Sequence, residues 1–391
     1  PHVPVGITHD ELFAWGGFTN VMGWDFAVLG QRMTDDFRGF GPGMMAWFAK
    51  AALIDRKIPA HLETSVRELI LDGGAVVGVR AERNGKDYFV RARRGVVLAT
   101  GGYDWHPTLP RYYEQLPEWN SMCQPSVAGD GFIMGGELGA AIAAVPANNL
   151  GLFFGYNVPG EEHDGKPLWR GSWEGGSPHA IWVNSAGKRF ADESFYKDYL
   201  PKTRGWDGVH QTQPNFPPYL IFDSNFREKY PLGTFLPPQP LPPALVARAE
   251  TLRELAAQLG IDADGLETTV ARFNRFAEQG VDEDFGRGSY PWAVMMTGDR
   301  RKPGNPNLGV IAKPPFYGLK LRVVSAGINA AGLRVNVNAQ VMHVRDRPIQ
   351  GLYAVGNAAA PLDIGAGYQS GLSNLRGLAG GYFAGRHAAG R

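Results

Sequence analysis

The run Val96-Val97-Leu98-Ala99, followed at once by Thr100 and the pair Gly101-Gly102, limits the folds open to this chain more than any other stretch. An unbroken apolar strand is buried on both faces, the condition of a parallel sheet with helices packed on it. A second such strand, "GLYAVGN" at 351–357, stands ahead of a glycine-rich segment that leads into a helix. Glycine at a strand's carboxyl end lets a ligand approach the backbone with no Cβ in the way. In open α/β sheets that end is where ligands bind. The fold class expected is therefore α/β.

Between these strands the chain changes character. "TSVRELILDGGAVVGVRAERNGKDYFVRARRGVVLATGG" alternates apolar and polar residues around Asp72-Gly73-Gly74 and Asn84-Gly85-Lys86, as a β-meander does. Residues 39–60 read as a glycine loop and an amphipathic helix carrying Met45, Phe48, Ala52 and Leu53. Residues 128–143 read as a helix opened by a loop that contains Asp130. From about Asn157 to Pro243 Pro, Gly, Trp and Tyr crowd in and periodic segments become few, which suggests an insertion. Two amphipathic helices after it stop at Gly260 and Gly280. The expected architecture is a discontinuous Rossmann-like nucleotide-binding domain, residues 1–156 and 319–391, with an inserted α+β cap or substrate domain at 157–318.

Composition removes several function classes. With 39 basic and 38 acidic residues and no basic run, nucleic acid and anionic membranes are poor partners. Cys123 is the single cysteine, so no internal disulfide forms, it reads as a small apolar filler, and a cytoplasmic address is expected. No segment has the ~20 apolar residues of a membrane span. His106, His163 and His179 are scattered singly, so no metal is expected.

The closing segment "GYQSGLSNLRGLAGG" supplies backbone amides at a helix N-terminus, an end that carries about half a positive charge. A reduced flavin is negative at its N1–C2=O edge and is stabilised by such an end. The candidate cofactor contacts are Ala99, Thr100, Gly101 and Gly102 after the first strand, Asp130, Gly356 and Asn357 after the second strand, and Gly371, Leu372 and Ser373 at the helix start. A side chain at Gly101 is expected to collide with the ligand.

Six stretches, "GVVLATGGYDW", "AGDGFIMGGELGAA", "VNSAGKRFADES", "ARFNRFAEQGVDEDFGRG", "GNPNLGVIAKPPFYGLKL" and "GLYAVGNAAAP", carry a family resemblance. In this order and spacing they resemble FAD-dependent oxidoreductases of the succinate dehydrogenase/fumarate reductase flavoprotein superfamily, and within it the 3-ketosteroid 1-dehydrogenase-like branch. The resemblance runs from about Gly39 to the end, implies FAD as cofactor, and adds Val66 to the contacts. It also implies a front βαβ unit with G-x-G-x-x-G. The nearest cluster, at 39–43, has another spacing, follows no apolar strand, and loses an amide at Pro42. The chain, which begins at Pro1, is thus expected to be a fragment of a longer flavoprotein that lacks the pyrophosphate half of the site.

Fumarate reductases use a His, a proton-donating Arg after "GKRF" and an Arg that grips the substrate carboxylate. The matching positions here hold Gly327 or Ile328, Lys197 and Tyr368, which implies that dicarboxylates are not substrates. Steroid dehydrogenases use a tyrosine pair, and the candidates are Tyr196 as base and Tyr368 as carbonyl-polarising acid. Each is one residue out of strict register, where Lys197 and Gly367 stand, so Lys197 is the third catalytic candidate. Tyr196 also reads as an ordinary residue of an aromatic-rich loop, and Arg189 with Glu193 as a structural ion pair. Trp169, Trp173 and Trp182 either line an apolar cleft or pack the cap.

The implied reaction is dehydrogenation or reduction of a C–C bond next to a carbonyl, on a steroid-like apolar substrate, with the electron acceptor left open. Tyrosine suits the acid role, being a neutral donor at pH 7. The rival reading is a truncated, catalytically incompetent fragment that binds FAD weakly or not at all.

Overall fold

Turn chemistry sets the first sheet. Thr64–Asp72, Ala75–Arg83 and Lys86–Arg91 pair antiparallel in sequence order, with Gly73-Gly74 and Asn84-Gly85 at the bends. This computed structural model describes residues 6–146, 152–365, 367 and 371–391. The chain divides into two compact units, one of Glu63–Ser172, Leu200–Phe216 and Leu321–Arg391, the other of Pro1–Leu62, Trp173–Tyr199 and Pro217–Lys320.

In the unit that holds the meander, Val96–Leu98 runs parallel to Pro348–Ala354, with Leu352 opposite Val96 and Ala354 opposite Leu98. Gln340–Met342 adds an antiparallel third strand. Leu98, Leu333, Val341, Leu352 and Met134 of the helix Asp130–Glu137 form one core, each such side chain contributing about 1.5–3 kcal/mol on burial. The closing helix, Leu372–Ala388, is held at its end by Tyr353 Oη and His387 Nδ1, 2.9 Å apart. A long hairpin, Leu152–His163 with Lys166–Gly171, pairs antiparallel with Arg322–Ser325.

The other unit is built on an antiparallel sheet of Ala247–Ala249, Phe316–Lys320, Tyr219–Asp223 and Ala180–Val183. Helices Leu252–Leu259 and Ala263–Gln279 bury Leu255, Leu266, Val270 and Phe273 against Ile181 and Ile221. Both stop at the expected residues, Gly260 and Gly280. The first opens with a capping box between Thr251 and Glu254, of a kind worth ~1 kcal/mol. The helix expected at 39–60 is found as Phe40–Ala49, continued by a π-helical stretch Lys50–Asp55. Its apolar stripe differs from expectation, because Met45, Phe48 and Leu53 are exposed. The content is mixed α/β, as the sequence required.

Candidate cofactor site

The parallel register brings two of the expected contact runs to one edge. Val355 N donates to Leu98 O at 3.0 Å, so residues 99–102 and 355–357 leave the same carboxyl end. Thr100 Oγ1 accepts from Gly131 N at 3.2 Å, which ties the first strand's end to the N-terminus of the helix that Asp130 begins. Ala99, Thr100, Asp130 and Gly371 are exposed there. Val66 lies in the meander, where it pairs with Ala81 and packs partly buried against the core that holds Leu98 and Met134.

Gly101 and Gly102 are glycines for different reasons. Gly101 has φ of +78°, in the left-handed region that strains any side chain. The collision with ligand expected at Gly101 is therefore preceded by backbone strain. An ideal Cβ on Gly102 would stand 1.6 Å from Asn329 Oδ1, the atom that accepts from Tyr103 N at 3.1 Å.

Asn357 Nδ2 donates to Gly327 O at 2.5 Å. Beside it, polar atoms are left over. Asn357 Oδ1, Asn329 Nδ2 and Ser373 Oγ are buried without a hydrogen-bond partner among the described residues. Buried polar groups are nearly always satisfied, and an acceptor, a donor and a hydroxyl in this state suit a ligand that offers both functions, as a flavin's pyrimidine edge does. A Cβ on Gly371 would meet nothing within 4 Å, so the helix start is open. Arg376, which the sequence reading passed over, holds the loop before that helix. Its Nε contacts both Asp363 oxygens at 2.9 Å, and its Nη2 donates to Ala359 O and Ala360 O at 3.0 Å each. Tyr368 lies outside the described residues.

Two buried acids flank Tyr103. Its hydroxyl donates to Glu114 Oε1 at 2.9 Å, which also accepts from Ala330 N at 2.8 Å. Burial pushes the Glu114 carboxyl above the usual carboxylate range, and Asp104 likewise. Burial, with Asp104 nearby, pushes the Cys123 thiol up to about 12, so it is inert filler.

In the other unit Tyr196 is 5% exposed and sits edge-on to Trp292, ring centres 5.0 Å apart. Phe195 stacks on Tyr290 at 4.6 Å, and Lys197 Nζ lies 6.0 Å from the Phe195 ring centre. Trp173 joins the cluster through Trp292 at 6.2 Å. Trp182 is buried against Tyr199, and Trp169 belongs to the long hairpin of the first unit. Arg189 does form the expected pair with Glu193, Nε to Oε1 at 2.7 Å, and adds Asp282 at 2.8 Å. Among the described residues no group of His, Cys, Asp and Glu could hold a metal, and no helix is long and apolar enough to cross a membrane.

The sequence pattern of the FAD binding domain family matches residues 27–373. The chain belongs to that family. Its relatives include the 3-oxosteroid 1-dehydrogenase of Mycobacterium tuberculosis, 35% identical over 323 residues, which are 78% of this chain and 55% of that protein. Another is the 4-oxocyclohexanecarboxylate 2-dehydrogenase of Sinomonas cyclohexanicum, 33% identical over 98% of this chain and 66% of that one. Among solved structures, the 3-ketosteroid Δ1-dehydrogenase of Sterolibacterium denitrificans, in complex with 1,4-androstadiene-3,17-dione, superposes with a TM-score of 0.84 at 30% identity, covering 99% of this chain and 72% of that one. Within the family the chain falls in the 3-ketosteroid 1-dehydrogenase-like branch, and FAD is the family's cofactor. It spans little more than half the length of the steroid dehydrogenase relatives it matches, 55% and 60%.

Proposed function

We propose that this chain is the major part of an FAD-dependent oxidoreductase that dehydrogenates, or in reverse reduces, the C–C bond next to a ring carbonyl. The observation that carries it is the shared carboxyl edge of two parallel strands with three buried polar atoms left unpaired. We assign the unit of Glu63–Ser172, Leu200–Phe216 and Leu321–Arg391 to the cofactor and the segments Trp173–Tyr199 and Pro217–Lys320 to the substrate cap. On this reading the cofactor unit is a discontinuous Rossmann-like domain. In support, Val96–Leu98 pairs only with Pro348–Ala354 among the described residues, and Val97 is 43% exposed. That free edge is where a further parallel strand, with the G-x-G-x-x-G turn this chain's motifs lack, would add.

Bound FAD supplies the two-electron oxidation. Gly101-Gly102, Asn329, Asn357 and Ser373 would hold and orient it, with the amides after Gly371 facing its electron-rich edge. Tyr196, as a phenolate that has lost its own proton to solvent, would take the proton from the carbon beside the carbonyl and become a neutral phenol, with Lys197 next to it. Its aromatic neighbours Phe195 and Trp292 keep water out and suit a flat apolar ring. Tyr368 is assigned the hydrogen bond to the carbonyl oxygen, which strengthens as negative charge develops there.

The substrate class is a steroid-like 3-ketone. A monocyclic keto acid is the second reading, favoured by the Sinomonas relative that covers 98% of this chain. The test is anaerobic. The FAD-loaded protein is mixed with a 3-ketosteroid, with 4-oxocyclohexanecarboxylate and with succinate, and bleaching of the flavin band is followed. Bleaching by a ring ketone and none by succinate is expected; a Tyr368→Phe variant is expected to slow it by about 10²–10³. Bleaching by succinate, or none by either ketone, overturns the reading.

A further inference from the structure

Asp104 follows the Gly101-Gly102-Tyr103 turn directly and is 2% exposed, yet no step above uses it. Its surroundings are polar on every side. Ser121 Oγ donates to Asp104 Oδ1 at 2.9 Å and itself accepts from Cys123 N at 3.0 Å. Trp119 Nε1 donates to the Asp104 carbonyl at 3.0 Å. Ser325 also bears on the carboxyl, drawing its acidity back against burial, which dominates and raises it.

Ser121 and Ser325 form a parallel bridge, fixed by Ser325 N to Asn120 O at 2.7 Å and Met122 N to Ser325 O at 2.9 Å. Ser325 Oγ accepts from Gly327 N at 3.0 Å, and Gly327 O is the acceptor of Asn357. Asn329 Oδ1 returns to Tyr103 N. The path from the first strand's end through Asp104, Ser121, Ser325 and Gly327 thus reaches Asn357 at the second strand's end, and Asn329 closes it. The three unpaired polar atoms of the site include Asn329 Nδ2 and Asn357 Oδ1, both members of this ring.

We propose that Asp104 is a positioning residue for the cofactor, clamping the Gly101–Tyr103 turn to the Ser325–Ala330 segment so that Asn329 and Asn357 present their free polar atoms at fixed places. The inference rests on the cofactor reading above. A short acid is suited to the task because its carboxyl accepts from the Ser121 hydroxyl while its backbone stays in the turn, and removing an acceptor from a buried donor costs more than the hydrogen bond itself contributes.

The experiment uses the full chain and two readouts that do not need turnover, hydrogen exchange of the segments 101–104 and 325–330 without cofactor, and the dissociation constant of FAD from flavin fluorescence quenching. Asp104→Leu, close in volume but without acceptors, is expected to speed exchange in both segments and to weaken FAD by about tenfold. Asp104→Asn keeps an acceptor and is expected to restore affinity to within about threefold of the parent. Should the leucine variant fail to fold, Ser121→Ala removes one donor of the ring and is expected to weaken FAD by about threefold. Unchanged exchange and affinity in Asp104→Leu or in Ser121→Ala overturns the clamp, as does an asparagine variant that binds no better than leucine. A parent that takes up no FAD overturns instead the cofactor reading beneath it, and the ligand of this inference falls with it, while the exchange data still decide the clamp.

Discussion

The two units bury charge in opposite ways. In the unit of the antiparallel sheet, Arg189 and Arg287 are matched by Glu193 and Asp282, and Arg189 meets each acid with two nitrogen–oxygen contacts of 2.7–3.1 Å. In the unit of the parallel pair, Asp104 has no ion-pair partner among the described residues, its neighbours including Ser121, Ser325 and Cys123, and Glu114 has one guanidinium, Arg204, at 3.8 Å. A network matched in charge reads as architecture, even with Arg287 Nε left unpaired among the described residues. An under-matched one beside unpaired atoms reads as a site.

The largest effect that sharpens this contrast is Arg189→Ala. It strands Glu193 and Asp282, whose side chains are 2% and 0% exposed, and breaking such a pair costs about 3–5 kcal/mol. Chemical denaturation is expected to show that loss; a cost under about 1 kcal/mol would mean that the network is no more structural than a surface pair. Next comes Gly102→Ala. Its new Cβ must displace Asn329, so it is expected to cost about 1–3 kcal/mol and to lower FAD affinity as well. Gly101→Val separates nothing, since its positive φ penalises any side chain whether or not FAD is bound.

The pH dependence contributed by Asp104 and by Asp282 should run in opposite directions. Burial raises Asp104, against Ser325 and Ser121, and the titratable groups facing it are Tyr103, Glu114 and Cys123, with Arg204 behind Glu114. A group raised on folding keeps its proton while the unfolded chain loses it near pH 4, so stability falls as pH rises from about that point toward the folded value. Burial opposes but Arg189 overrides it at Asp282, which is held below the usual range. The stability Asp282 contributes is therefore present at neutral pH and lost as pH falls through its folded value. Asp104→Asn is expected to raise the thermal midpoint more at pH 7 than at pH 4.5. An equal shift at both values would show that Asp104 titrates alike folded and unfolded.

Sequence periodicity and turn chemistry made the meander, the two parallel strands and the helices ending at Gly260 and Gly280 legible, because each is decided by residues within a few positions of one another. That residues 99–102 and 356–357 stand at strand ends was legible for the same reason, since glycine after a buried strand is a local signal. Asn329, Ser325 and Arg376 were not. Their roles come from partners such as Tyr103 and Asp363 that only the fold brings near, and a lone Asn or Ser carries no signal of burial. Asp104 offered one hint, an acid directly behind a Gly-Gly-aromatic run at a strand's end. The apolar stripe of Phe40–Ala49 misled in the other direction, for periodicity reports that a face is apolar and not that the described chain covers it.

The smallest effect separates site from architecture most cleanly. Ser373 Oγ is buried and has no partner among the described residues, one residue inside a helix whose first turn is open. If that hydroxyl served the fold, its removal would weaken the fold. Because it bonds nothing among the described residues, Ser373→Ala should leave the thermal midpoint of the cofactor-free protein unchanged or slightly higher, the buried polar atom having been a cost. If the hydroxyl serves FAD, the same change removes one neutral hydrogen bond and weakens binding by about 0.5–1.5 kcal/mol, roughly three- to tenfold. Calorimetry without cofactor and fluorescence titration with it give the two numbers on one preparation. A variant that melts earlier and binds FAD as tightly as the parent would move Ser373 from the site to the fold, and with it the claim that unpaired atoms at this edge mark where the flavin lies.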